Sequence, residues 1–303
     1  MTKGRKTLLI VLCCILALMV LAFTALALCE FDFSRIGGGK AEQKTVNVIG
    51  TYKNIDVNDK CADITVVRSE YTDYRVKGYE KLGLKTEVIG NKETSTLEIF
   101  VFDTRKWFEK AFANDGDRKI TVYLPAKEYD AMKINTVSGD VSIDGKLNID
   151  TVKVNSTSGN VSVKSAVPSL LVSTVSGDIE VYGEGYGSID LKTTSGDVKL
   201  SGAKSNMLTA ETTSGDLLLK EVTSKDSIKV KTTSGNVTFD YAQSSSMTVD
   251  AVSGNVNAKV AGVSNFDAHT TSGKVIVPTN TVGGGTFKVT TVSGNINISY
   301  FGQ

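Results

Sequence analysis

Three aspartates are the residues whose type and spacing most favour a chemical role. Asp178, Asp197 and Asp216 follow one another at intervals of 19 residues. Carboxylate oxygens are preferred calcium ligands, so a fold that stacked these side chains could bind Ca²⁺. Aspartate and asparagine also stabilise tight turns, and Asn160 and Lys274 hold the equivalent positions elsewhere in the chain. We therefore predict no metal site and keep the three aspartates as the candidates if a metal binds.

Few residues are available for catalysis. His269 is the only histidine, and Cys61 is the only cysteine beyond residue 29. A single histidine does not make a Ser-His-Asp arrangement, and a single cysteine without partners at ligand spacing does not make a zinc site. The net charge of +1, from 34 basic and 33 acidic residues, excludes a strongly basic nucleic-acid binder. We predict no catalytic residue, no cofactor and no nucleic-acid partner.

The elements that would position these residues come from a repeat. A Ser-Gly dipeptide recurs at nine positions spaced 18 to 21 residues apart, and the next residue is Asp or Asn in eight of the nine cases. Glycine reaches positive φ without a side-chain clash, so each dipeptide predicts a sharp corner, with positive φ at Gly196. The corner glycines are Gly139, Gly159, Gly177, Gly196, Gly215, Gly235, Gly254, Gly273 and Gly294.

Apolar residues alternate with other residues on both sides of each corner. In one repeat they are Ile189 and Leu191 before the corner and Val198 and Leu200 after it. Such alternation predicts two strands per repeat, each with one buried face, and a single unit cannot bury that face without neighbours. The sequence therefore predicts an all-β fold, a parallel β-helix or β-solenoid of about nine coils of about 19 residues over 126–303. A β-sandwich of regular hairpins is the alternative.

The outward positions of the predicted coils carry charges of alternating sign. Opposite charges about 4.8 Å apart on neighbouring coils form exposed ion-pair ladders, whereas a polysaccharide-active enzyme would cluster charged groups in one groove. We interpret the charges as structural, with His269 at the surface beside Asp250. One column, three residues before each corner serine, contains Lys192, Glu211, Lys231, Asp250 and His269, and the other, six residues after it, contains Lys220, Asp240 and Lys259.

The repeated pattern Thr-x-Ser-Gly-Asp/Asn-apolar-x-apolar, as in residues 193–200, resembles the bacterial putative-adhesin domain of unknown function. The segment ITVYLP at 120–125, which enters the first coil, is similar to that family too. The resemblance covers residues 45–303. It implies a right-handed, single-stranded β-helix on the outside of bacterial cells, often behind one membrane anchor, with no established catalytic residues.

The N-terminus has the pattern of a membrane anchor. Residues 7–28 carry no charge and follow Lys3, Arg5 and Lys6. A helix of this length spans a bilayer, and the positive-inside rule keeps its basic end in the cytoplasm. We predict a basic tail at 1–6, a transmembrane signal-anchor at 7–29 and an extracellular remainder, so that the protein crosses the cell membrane once. Cleavage after Ala27 and lipidation of Cys29 are the alternatives.

Residues between the anchor and the repeats lack the Ser-Gly pattern. We expect a linker at 30–44 and irregular β-structure at 45–125 that caps the first coil. Within that region Trp107, Phe108 and Phe112 stand among charged residues, with Phe108 and Phe112 at the i, i+4 spacing of a helix. They predict either packing against the first coil or an exposed patch for a partner or the membrane surface.

These patterns together predict a non-enzymatic, membrane-anchored extracellular β-helix. Its long regular faces would bind a cell-wall polymer or another envelope protein, as an adhesin-like scaffold or one associated with envelope stress, which the family resemblance makes reasonable. A polysaccharide-active enzyme on the same fold is the first alternative. A structural filament formed by end-to-end stacking is the second. The oligomeric state is not predicted.

Overall fold

The computed structural model of the protein describes residues 42–81, 83–105, 118–279 and 283–301. Within these ranges the regular structure is entirely β-strand, as the alternating pattern predicts. No helix among them has the length and apolar character needed to cross a membrane. The predicted tail and signal-anchor, most of the linker, and Trp107, Phe108 and Phe112 lie outside the described residues.

The strands fall into three groups along the chain. The first group is β1 (Glu42–Val48), β2 (Asn54–Asn58), β3 (Asp63–Ser69), β4 (Tyr74–Lys81), β5 (Leu84–Asn91), β6 (Thr96–Asp103) and β7 (Lys119–Pro125). The second is β8 (Glu128–Asn135), β9 (Val141–Asp144), β10 (Asn148–Asn155), β11 (Val161–Val163), β12 (Ser169–Ser173), β13 (Ile179–Glu184), β14 (Ser188–Lys192), β15 (Val198–Ser214), β16 (Leu217–Ser234), β17 (Val237–Ser253) and β18 (Val256–Ala261). The third is β19 (Val263–Ser272), β20 (Val275–Ile276), β21 (Gly285–Ser293) and β22 (Ile296–Tyr300).

Each strand of a repeat pairs in parallel with the equivalent strand of the next repeat. Before the corner, Val172 pairs with Leu191, and Leu191 with Ala210. After it, Val181 pairs with Leu200, which also pairs with Leu219. These inward side chains are almost fully buried and form one continuous aliphatic core. The fold is therefore a β-solenoid, and the sandwich of hairpins is wrong.

The solenoid has about eight turns, one fewer than the nine Ser-Gly repeats predict. The repeat that contains Gly273 departs most from the regular pattern. Its second strand, β20, has only two residues, and Val275 and Ile276 are 41% and 58% exposed. This repeat therefore forms an incomplete turn at the end of the stack.

Six of the nine corner glycines lack the predicted positive φ, whereas Gly254, Gly273 and Gly294 have φ of 155°, 159° and 153°. Gly196 does not have a positive φ. A Cβ atom added to it would overlap the carbonyl oxygen of Gly177 in the preceding coil. Glycine is needed because the backbones of successive coils approach too closely for any side chain. Left-handed backbone lies instead at a second corner, with φ of 108° at Gly183 and 63° at Gly202.

At the N-terminal end, the order of coils in space differs from their order in the chain. Strand β2 lies between β6 and β8, and β3 lies between β7 and β9, all in parallel pairs. The outermost strands β6 and β7 are then covered by β5 and β4, which run antiparallel to them. Both outer edges at this end therefore have partners, as a cap requires.

The C-terminal end shows the same interchange. Strand β21 lies between β17 and β19, and β22 lies between β18 and β20. The last repeat therefore inserts between two earlier ones. This corrects the expected neighbours of His269, because Thr290 of the inserted repeat pairs with both Asp250 and His269 and separates them.

Candidate binding cleft

The aspartates first considered as calcium ligands form a hydrogen-bonded ladder. The backbone N–H of Asp197 donates to Oδ1 of Asp178 at 2.8 Å, and the N–H of Asp216 donates to Oδ1 of Asp197 at 2.7 Å. Asparagine supplies the same oxygen in other coils, since the N–H of Asp178 donates to Oδ1 of Asn160 at 2.9 Å. The position therefore requires a side-chain carbonyl or carboxylate oxygen rather than a charge.

This ladder also explains why one repeat lacks Asp or Asn. The N–H of Lys274 donates to Oδ1 of Asn295 at 2.9 Å. The repeat of Lys274 is outermost in the stack, so no further coil needs an oxygen from its side chain. Within the described part of the chain, no group of three or more Asp, Glu, His or Cys side chains is arranged to hold a metal ion.

Buried threonines connect the corners of Gly196 and Gly215 to the coil before each of them. The N–H of Gly196 donates to Oγ1 of Thr193 at 3.1 Å, and that hydroxyl donates to the carbonyl oxygen of Gly177 at 3.2 Å. Thr212 makes the equivalent bond to Gly196 at 3.1 Å. These hydroxyls thereby hold the corners of neighbouring coils together.

A shallow cleft of about 340 Å³ runs beside the corners of four coils. The first charged column forms one side of it, and exposed Thr213, Thr233 and Val252 form the other. The buried residues Thr193, Thr212, Thr232 and Ala251 lie along its floor. The charged side consists of Lys192, Glu211, Lys231 and Asp250.

The charges along this cleft alternate from one coil to the next. Lys192 pairs in register with Glu211, which pairs with Lys231. Lys231 in turn pairs with Asp250. The salt bridge of Lys192 is nevertheless made to Asp190 on its own strand, at 3.2 Å. The predicted order of charges is confirmed over these four coils, but Lys192 makes its closest ion pair along the strand rather than across the ladder.

One polar atom on the floor of the cleft has no partner. Thr232 is only 4% exposed, and its hydroxyl makes no hydrogen bond to any described residue. The equivalent hydroxyls of Thr193 and Thr212 are satisfied by the preceding coil. An unsatisfied buried hydroxyl carries an energetic cost, so this coil is held less firmly at its corner than the coils of Thr193 and Thr212.

The second charged column lies on the face after the corner and forms a true ladder. Lys220 pairs in register with Asp240, and the ammonium of Lys259 lies 3.3 Å from the Asp240 carboxylate. On the same face, a hydrogen bond to the Tyr182 hydroxyl and the charge of Glu180 raise the pKa of Lys199. These exposed pairs suit a solvated sheet and do not surround a pocket.

A buried polar pair near the N-terminal end is structural. The Tyr79 hydroxyl donates to Oδ2 of Asp59 at 2.9 Å. Burial and the nearby Asp59 carboxylate raise the pKa of Tyr79, so it stays protonated. The other oxygen of Asp59 accepts hydrogen bonds from the N–H groups of Lys60 and Cys61, at 2.5 and 3.3 Å. Asp59 thereby fixes the corner between β2 and β3, and Cys61 is exposed beside it.

The stacked coils and their corner ladder define an all-β solenoid protein. Residues 52–299 match the Toastrack DUF4097 family. Since this match spans most of the sequence, the chain belongs to the Toastrack DUF4097 family, in agreement with the predicted resemblance. No curated protein matches the chain.

Three solved structures to which the chain is similar have names that refer to adhesion or lipid binding. A putative adhesin from Bacteroides fragilis is 15% identical, with 85% of this chain and 97% of that one covered and a TM-score of 0.46. A putative lipid binding protein from Parabacteroides distasonis is 20% identical, with 84% and 98% covered and a TM-score of 0.40. A putative cell adhesion protein from Clostridium sporogenes is 12% identical, with 86% and 100% covered and a TM-score of 0.28.

Proposed function

We propose that this protein is a non-enzymatic, membrane-anchored binding protein outside the cell, and that its cleft holds an extended polymer of the cell envelope. The cleft beside the corners is the observation that carries this proposal. Its open, elongated form suits a chain-like ligand, and its charges repeat once per coil, about every 4.8 Å. The exposed hydroxyls of Thr213 and Thr233, on the side opposite the charges, offer hydrogen bonds to sugars. An association with envelope stress rests on the family resemblance.

The distribution of charge supports binding over hydrolysis. Glycosidases use two carboxyl groups, of which one is kept protonated in an apolar setting until it donates its proton. In this cleft the carboxylates of Glu211 and Asp250 belong to strands on either side of Lys231. An ammonium group therefore stands between the two carboxylates on an open surface, in place of the apolar setting that a glycosidase provides for its acid.

The test reverses the charge order while keeping its alternation. Lys192, Glu211, Lys231 and Asp250 are replaced together by Glu, Lys, Glu and Lys in the full chain, which leaves the net charge unchanged. The probe is isolated cell wall with its attached polymers, in a sedimentation assay. Complementarity to a charged polymer is lost, so we expect binding to weaken at least about tenfold, while stability changes by less than about 1 kcal/mol.

The matched control reverses a pair on the other face. Glu180→Lys with Lys199→Glu also preserves net charge and keeps opposite charges in register, and it should leave cell-wall binding unchanged. Equal binding by both variants and the unmodified chain would refute the cleft as the site. Release of soluble sugars from the wall by the unmodified chain, abolished by Glu211→Gln or Asp250→Asn, would establish the enzyme instead.

A further inference from the structure

Among the described residues, the C-terminal end of the solenoid has an edge strand that pairs on one side only. Strand β19 pairs with β21 on one side and with no other strand of the described residues on its other side. Proteins usually protect such edges with lysine, proline or a covering element. The sequence of β19, VSNFDAHTTS, contains neither lysine nor proline. The opposite end of the stack is covered by β4 and β5, so the two ends differ.

The inward residues at this edge are apolar and partly uncovered. Phe266, Ala268 and Val277 pack on the core from one side only, and Val275 is 41% exposed. Their counterparts one coil inward, such as Phe287, Val289 and Ile296, are fully buried. A partner that continued the sheet would therefore bury apolar surface and satisfy backbone groups at the same time.

We propose that a second copy of this chain covers the end, with β19 of each copy pairing antiparallel to β19 of the other. One open end and one covered end favour a closed twofold pair, because a continuing stack would need both ends open. The same argument disfavours the filament considered from the sequence.

The charges of β19 select one register for this pairing. Inward residues of one copy must face inward residues of the other, so the register can shift only in steps of two. Two such registers keep the longest overlap. The one that places Asp267 opposite itself is repulsive. The other places Ala268 on the twofold axis, and each exposed Asp267 then faces the exposed His269 of the other copy.

This second register is complementary in every outward pair. The imidazole of His269 can donate a hydrogen bond to the Asp267 carboxylate, which also lies 3.8 Å from the ammonium of Lys288. On either side, Asn265 of one copy faces Thr271 of the other. Both are exposed in the single chain, so substitutions there do not disturb its core.

Disulfide trapping in the full chain tests both the partner and the register. The four native cysteines are first replaced by alanine. Asn265→Cys and Thr271→Cys are then made in two separately tagged copies, which are expressed together and oxidised mildly in membranes. We expect a disulfide-linked product of twice the chain mass that carries both tags. Either variant expressed alone should give none, because residue 265 faces residue 271 and not itself.

Charge reversal provides the second arm. Asp267→Lys faces His269 with a cation and should lower the trapped fraction about tenfold. Adding His269→Asp restores an opposite pair and should recover trapping.

Failure of the mixed copies to cross-link would overturn the dimer. Cross-linking of the Asn265→Cys variant expressed alone would overturn the register. A cross-linked product that contains a different protein would show that this protein, and not a second copy, covers the end. None of these outcomes bears on whether the cleft binds cell wall.

Discussion

At the scale of single residues, the corner is built from contacts between coils. The hydroxyl of Thr193 connects the N–H of Gly196 to the carbonyl oxygen of Gly177. That short connection is possible only because the glycines lack side chains. The sequence predicted where the corners lie, since Ser-Gly marks them. It did not predict why glycine is needed, because the constraint comes from a residue in another coil.

Two alanine substitutions separate close approach from backbone conformation. Gly196→Ala should cost about 3 kcal/mol or more, because its Cβ overlaps the backbone of the preceding coil and the stack must shift. Gly202→Ala should cost only about 1 kcal/mol, because its φ is 63° but its Cβ would meet open space. Denaturant unfolding of the two variants measures the difference. Equal losses would mean that conformation, and not contact, selects both glycines.

At the scale of the element, the Asp/Asn ladder joins the corners of successive coils. Each side-chain oxygen accepts the N–H of the following coil, from Asp63 in β3 through to Lys274 beside β20. From the sequence, the use of either Asp or Asn at this position was explained by their preference for tight turns. That explanation correctly predicted a bend here. The acceptor role across coils was not predicted, because an isolated repeat offers no donor from its neighbour.

The ladder predicts how substitutions of Asp197 differ. Asp197→Asn keeps an oxygen for the N–H of Asp216 and should change stability by less than about 0.5 kcal/mol. Asp197→Ala removes that acceptor and should cost about 1 kcal/mol. Thermal unfolding measures both. Adding calcium should leave the melting temperature of the unmodified chain unchanged, and a rise that Asp197→Asn abolished would restore the metal site.

At the scale of the whole solenoid, the alternating pattern predicted the stacked strands and the continuous core. It did not predict the order of the coils at the ends. The same inward position of three successive repeats is occupied by Val249, Ala268 and Val289. In the structure, Val289 of the third repeat lies between the other two and is in register with both. Because every repeat presents similar inward residues, local sequence does not say which coil is next to which. The Gly273 repeat looked complete for the same reason.

The position of the inserted repeat predicts which strands are protected from amide hydrogen exchange. Strand β21 is paired on both edges, so its amide hydrogens should exchange as slowly as those of β17. Strand β19 should exchange faster in the Asp267→Lys chain, in which the proposed dimer is weakened. Hydrogen exchange followed by mass spectrometry of peptides from these strands makes the comparison. Fast exchange in β21 would contradict its place inside the stack.

The insertion of β21 also sets an order of events as the chain is synthesised. The repeat with Gly273 leaves the ribosome before the repeat with Gly294, yet it must lie farther out in the stack. It can reach that place only after residues 285–300 have emerged to occupy the gap, or after being displaced from β17 by them. A nascent chain therefore cannot finish its last two turns one at a time. Residues 285–300 close the solenoid, and a chain that stops before them leaves its earlier repeats without their native neighbour.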